Sequence, residues 1–132
     1  MSEATERWLA FSQEDLRVAE ILFDEEIYNQ VCFHAQQCVE KSLKGLLVYQ
    51  NRQPPRTHNI TDLLSLLPAE MFADLRNELG QMSYYYIPTR YPDALPGTLP
   101  EGLPGRDQAV EALRLAQTVL QQVTGTIQQQ EE

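Results

Sequence analysis

The residues best equipped for chemistry sit together in one stretch, VCFHAQQCVEKSLKGLLVYQ, from Val31 to Gln50. The chain contains two lysines, Lys41 and Lys44, and two histidines, His34 and His58; both lysines and one histidine fall in this stretch. At 100° per residue, His34, Gln37, Lys41 and Lys44 share a stripe about 80° wide, with Glu40 beside it. Cations crowded on one stripe are tolerated when solvent, a carboxylate or an anionic ligand faces them. Two readings are open. One is a solvated helix face, with Glu40 and Lys44 an ordinary i,i+4 pair and His34 a half-buried packing residue. The other is an anion site built on His34, Lys41 and Lys44. Asp15 bears on both, because it falls inside an apolar helical arc. A carboxylate among apolar neighbours needs a partner, and a Lys or His from an adjacent antiparallel helix is the natural one.

A second candidate lies in SYYYIPTRYPD, where Arg90, Tyr91 and Asp93 follow three consecutive tyrosines. Arg90 has two roles open to it, meeting a phosphate facing the second-helix stripe or pairing with Asp93. Tyr91 is suited to plugging the bundle end. Tyr85 and Tyr86 are expected to pack in the core with their hydroxyls toward solvent. From Ile87 to Gly105, prolines recur at 88, 92, 96, 100 and 104, which forbids regular structure. A lid or partner-contact role for this connection is open.

Other chemistry finds little support. His34 and Cys38 are an i,i+4 pair, but two ligands on one helix are too few for a zinc site. No paired cysteine motif, Walker loop or GxGxxG occurs, so no metal or cofactor is expected. Cys32 and Cys38 are separated by about 9 Å of helical rise, beyond the ~7 Å that a disulfide spans. They are expected to be buried free thiols in a reducing compartment.

The elements that position these residues are all helical by pattern. Thr5 to Asp24 carries Trp8, Leu9, Ser12, Leu16, Ala19 and Phe23 on one face. A second helix, capped by Asn29, runs to Gln50 and buries Val31, Ala35, Val39, Ser42, Leu46 and Tyr49. After the NRQPPRTHN loop, Asn59 or Thr61 caps a short helix through DLLSLL. A fourth helix is expected from Pro68 to Tyr86 with Met71, Leu75, Leu79 and Met82 inward. The last, Arg106 to Gln129, shows a seam of Val110, Leu113, Gln117, Leu120, Thr124 and Ile127. No strand pattern competes. The reading is a single all-α domain over residues 1–132, an up-and-down bundle of four long helices plus one short one.

At 132 residues the chain is long enough for one core, and no apolar run approaches a membrane span. The polar, acidic start MSEATERW resembles no secretory signal; the expectation is a soluble cytoplasmic protein. A net charge of -9 opposes general nucleic-acid binding, which relies on many cations against phosphates.

The block YNQVCFHAQQCVEKSLKGLLVYQ, followed by THNITDLLSLL and RYPD, resembles the HEPN family, named for higher eukaryotes and prokaryotes nucleotide-binding. The resemblance covers nearly the whole chain. It implies a helical bundle that forms a homodimer, often partnered by a minimal nucleotidyltransferase in modules like toxin–antitoxin pairs, and in some members a nucleotide or similar anionic ligand. Residue by residue, it carries His34, Glu40 and Lys41 onto the second-helix motif, His58 onto the Thr-His after the loop, and Arg90, Tyr91 and Asp93 onto the RYPD. Ribonuclease members carry an arginine followed four to six residues later by histidine, late in the chain. No histidine follows His58 here. Arg52 and His58 have similar spacing but flank a Pro-Pro loop, outside that motif's setting. The reading is therefore a non-catalytic binding module. A ribonuclease toxin with a non-standard site and a ligand-free oligomerisation domain are the alternatives.

Overall fold

A computed structural model describes residues 1–86 and 103–132 of the chain. Its elements are α1 (Glu3–Asp24), α2 (Tyr28–Tyr49), α3 (Ile60–Leu64), α4 (Arg76–Gln81), a 3-10 turn at Met82–Tyr85, and α5 (Arg106–Glu131). No strand occurs among the described residues, and no helix there is long and apolar enough to cross a membrane. Arg90, Tyr91 and Asp93, with most of the proline-rich connection, lie outside the described residues.

α1 begins at Ser2, whose hydroxyl accepts from the Thr5 amide at 3.1 Å, satisfying one of the orphan donors of a helix start. It ends in a tight reversal through Glu26, which takes a φ of 62°. That left-handed residue lets the Ile27 amide donate back to the Leu22 carbonyl at 3.0 Å. α2 therefore starts at Tyr28 behind Ile27, with no side-chain cap. Asn29 lies inside the helix rather than capping it, because the backbone turn already delivers the chain in helical register. α2 closes in the same way, with Asn51 at φ 61°, a conformation that asparagine accepts more readily than most residues.

α2 is the axis of the fold and packs against both α1 and α5. It is buried on far more than one face: Val31, Cys32, Ala35, Val39, Leu43, Leu46 and Leu47 are all fully inside. α1 packs tightly on Gly45, where a Cβ would lie 3.1 Å from Trp8 Cβ and 3.2 Å from Leu9 Cδ2. The same contact is stitched by hydroxyls. Ser12 Oγ donates to the Cys38 carbonyl at 2.9 Å and lies 2.6 Å from Ser42 Oγ, so the polar atoms on both helices are satisfied without water. Cys32 and Cys38 are buried free thiols. Burial pushes them up to about 12 and about 11.

Two elements differ from the sequence pattern. The helix expected from Pro68 to Tyr86 is split. Phe72 adopts φ 59° with its ring buried, and the segment before Arg76 is a run of turns. Burying that ring outweighs helix continuity, and the broken turns are held by Arg76. Its guanidinium donates to the carbonyls of Leu64 (3.0 Å), Pro68 (2.6 Å) and Leu67 (3.5 Å), and its Nε to Met71 (3.0 Å). The seam of α5 is also displaced. The buried residues are Ala109, Ala112, Leu115, Ala116, Val119, Leu120, Val123 and Ile127, while Val110 is exposed. Three alanines let α5 approach α2 closely. Gln117 faces α1 instead and donates to Glu20 at 3.2 Å.

Candidate functional site

The polar cluster on α2 is built around two buried carboxylates, each holding one lysine and one histidine. Asp15 projects from α1 into the α1–α2 crevice. Lys41 Nζ donates to its Oδ2 at 2.6 Å, and His34 Nδ1 lies 3.0 Å from its Oδ1. One turn further along, the Glu40 side chain is 4% exposed. Lys44 Nζ donates to its Oε2 at 3.0 Å, and His58 Nδ1 lies 3.0 Å from its Oε1. Helical spacing explains the alternation, since residues four apart on α2 lie on one side. Lys41 thus turns to α1, while Glu40 and Lys44 turn together toward the loop that carries His58.

Two amides complete the second unit. Gln36 Nε2 donates to the His58 carbonyl at 3.0 Å and to Glu40 Oε1 at 3.3 Å. Gln37 Nε2 in turn donates to Gln36 Oε1 at 2.6 Å. Among the described residues no buried side-chain polar atom lacks a hydrogen bond. A histidine whose Nδ1 faces a carboxylate is held in one ring orientation with Nε2 turned away from it.

Aromatic rings line the cluster. Lys41 Nζ sits 5.9 Å from the Phe11 ring centre and Lys44 Nζ 5.7 Å from that of Trp8. His58 stacks on Tyr86 at 3.9 Å with the planes 13° apart, and Phe33 contacts both Tyr86 and His34. Tyr86 is therefore a platform for the loop histidine, while Tyr85 is the tyrosine that packs toward the core. Burial pushes the Tyr85 hydroxyl up to about 12.

The cationic stripe read from the sequence divides by accessibility. The Lys44 side chain is 9% exposed and enclosed, whereas those of His34 and Lys41 each keep 26% of their surface in contact with solvent. The bonds from Asp15 to His34 and Lys41 supply the partner that its apolar setting demanded. The pairing of Glu40 with His58 had no signature in the sequence, because it joins a helix to an irregular loop. Arg52 and His58 are not brought together. Arg52 donates to the Leu66 carbonyl, while His58 faces Glu40 and Tyr86. No group of three or more His, Cys, Asp or Glu among the described residues is arranged to hold a metal ion.

Comparison with known proteins points the same way as the bundle. A family model described as the HEPN domain matches residues 5–126. The crystal structure of TT1696 from Thermus thermophilus superposes with a TM-score of 0.80 at 36% identity, covering 94% of this chain and 98% of that one. ST0689, described as an archaeal HEPN homologue, superposes with a TM-score of 0.74 at 33% identity, covering 96% of this chain and 99% of that one. A Methanocaldococcus jannaschii protein named "Putative toxin MJ1304" is 28% identical over 121 residues, 83% of this chain and 79% of that protein.

Proposed function

This chain belongs to the HEPN domain family, and we propose that within it the protein is a non-catalytic binding and interaction module of the cytoplasm. It works as a homodimer that docks a minimal nucleotidyltransferase, with an anionic ligand such as a nucleotide read at the α1–α2 crevice. The observation that carries the non-catalytic reading is that no histidine follows His58, so the late arginine–histidine pair of ribonuclease members is missing. Each histidine shares its carboxylate with a lysine, and the arginine at nuclease-like spacing is anchored on Leu66. Phosphodiester cleavage needs a cation on the phosphate beside a free acid–base group. Here Lys44 is enclosed on Glu40, and the arginine–histidine pair that would supply both groups is missing.

The ligand arm of this reading rests on His34 and Lys41. Asp15 accepts one hydrogen bond from the Lys41 ammonium, which has three protons to donate, and its exposed side faces solvent next to the Phe11 ring. Arg90 and Asp93, in the segment that follows Tyr86, are proposed to approach the same crevice. Calorimetric titration with ATP is expected to give heat that Lys41→Ala abolishes. Absence of heat from every nucleotide tried would remove this arm and leave a ligand-free helical module. Co-purification with the product of a neighbouring nucleotidyltransferase gene tests the partner arm.

The relative named as a toxin supports a second reading, ribonuclease toxicity from a non-standard site. Expression of the chain alone in a bacterium tests it. Growth arrest that His34→Ala or His58→Ala relieves would establish this reading over the first.

A further inference from the structure

Ala4, Arg7, Trp8 and Phe11 stand at i, i+3, i+4 and i+7 of α1, so they share one side of the helix and surround an open hollow of about 220 Å³. Alanine makes the gap, since its methyl is the smallest of the four side chains. The Trp8 wall is held in place by α2. A Cβ on Gly45 would lie 3.1 Å from Trp8 Cβ, and Lys44 Nζ is 5.7 Å from the ring centre. Phe11 forms a second aromatic wall and is 50% exposed. Two rings, a methyl and a guanidinium thus line a hollow outside both the core and the two carboxylate clusters.

Size and charge select the occupant. At ~30 Å³ per water the hollow has room for about seven waters, or for one six-membered ring with a short substituent. It falls short of the roughly 300 Å³ at which sites for larger ligands begin. Arg7 is the cation at its rim. The contact of Arg7 to Glu3 is 3.8 Å long, with the two side chains 66% and 89% exposed, so it holds the guanidinium loosely. Lys41 and Lys44 are instead tied to Asp15 and Glu40. One loosely held guanidinium beside an apolar hollow suits one carboxylate, which it meets through two parallel N–H bonds. A polyphosphate would bring several charges to this single cation, against the Glu3 carboxylate already in contact with it.

A partner helix is a poorer fit, because it needs such gaps repeated along a seam. Here the stripe stops after Phe11. The next position, Asp15, has its side chain 12% exposed and is bound by Lys41 and His34, and Leu22 packs against the core. The geometry points to the hollow as a binding site for a small aromatic monocarboxylate, its ring between Trp8 and Phe11 over Ala4 and its carboxylate on Arg7. This site is separate from the anion position at His34 and Lys41, and it takes a different class of ligand.

Trp8 is the chain's one tryptophan, so its fluorescence reports on this hollow directly. Titration with phenylacetate is expected to give a saturable change in that emission. The neutral isostere phenylacetamide is expected to bind about three- to tenfold more weakly, as is phenylacetate to Arg7→Gln, because each lacks one partner of the ion pair. Acetate, which has no ring, is expected to leave the emission unchanged. Ala4→Leu fills the gap and is expected to abolish the response. Ala4 and Arg7 are exposed, so unchanged circular dichroism is expected for both variants and separates lost binding from lost folding. No saturable change with phenylacetate would overturn the site, whatever ATP does at the α1–α2 crevice. An undiminished response in Ala4→Leu, or wild-type affinity for phenylacetate in Arg7→Gln, would overturn it equally.

Discussion

Replacing Glu40 by glutamine removes one charge from a nearly closed site and shows what the carboxylate is worth. The Glu40 side chain is 4% exposed and Lys44 is 9% exposed, so the pair sits where water screens poorly. Removing one partner of a buried pair costs about 3–5 kcal/mol, because the other charge stays behind without compensation. Lys44 has some relief from the Trp8 ring at 5.7 Å and from a long stem able to carry its ammonium outward. His58 is 52% exposed, and losing its bond adds little. The expected loss is therefore near the low end, about 3 kcal/mol. For a domain of this size that is a fall in melting temperature of roughly 10 °C. Urea denaturation followed by circular dichroism reads the change as a lower midpoint with an unchanged slope. The double variant Glu40→Gln/Lys44→Met removes both charges and should recover stability to within ~1 kcal/mol of the wild type. A single variant within ~0.5 kcal/mol of the wild type, or a double variant no better than the single, would refute the claim that Glu40 balances Lys44.

Other sites give further expectations. Arg76→Ala frees four carbonyls and is expected to cost about 2–3 kcal/mol, since bonds from a charged donor are individually strong and some carbonyls regain water. Gly45→Ala places a methyl against Trp8 and Leu9; overpacking of about 1–3 kcal/mol outweighs the ~1 kcal/mol gain in helix propensity, so the urea midpoint falls. Cys32, Cys38 and Tyr85 ionise in the unfolded chain near 9 and 10 but are held up to about 12, 11 and 12 in the fold. The unfolded state then loses protons first, so stability is intact below pH ~9 and declines as pH rises toward about 11–12. Urea midpoints between pH ~8 and ~10.5 check this sign; a rising midpoint would contradict it.

The sequence made some of this architecture legible and hid the rest for physical reasons. Helical periodicity marks α1 well, because that helix has one buried face and one solvated one. For α2 the same method finds the buried face of Val31, Ala35, Val39, Ser42 and Leu46 but understates the burial, since the helix is packed on nearly all sides and encloses Glu40 and Lys44 as well. Lys44 and Glu40 look like a surface pair by spacing, and only tertiary packing encloses them. Asp15 was legible as a residue needing a partner because its neighbours in the arc are apolar. The partners were on the next helix, where an antiparallel hairpin must put them. In α5, size decided the seam. Alanines at 109, 112 and 116 make the close contact with α2, and a count of large apolar residues favours Val110 and Leu113 in their place. Phe72 has no local signal for its left-handed backbone, and Arg76 gives no hint that it fastens four carbonyls of other turns. The His58–Glu40–Tyr86 arrangement joins three separate segments, beyond the reach of any periodic pattern.

The central claim is that this HEPN chain binds and assembles without cutting RNA. The most direct measurement incubates the purified protein, at equimolar concentration, with end-labelled single-stranded and structured RNAs from pH ~6 to ~9, the range over which histidine acid–base chemistry operates. The account predicts intact RNA at every pH. Cleavage by the wild type that disappears in His34→Ala or His58→Ala, with both variants still folded, would contradict it.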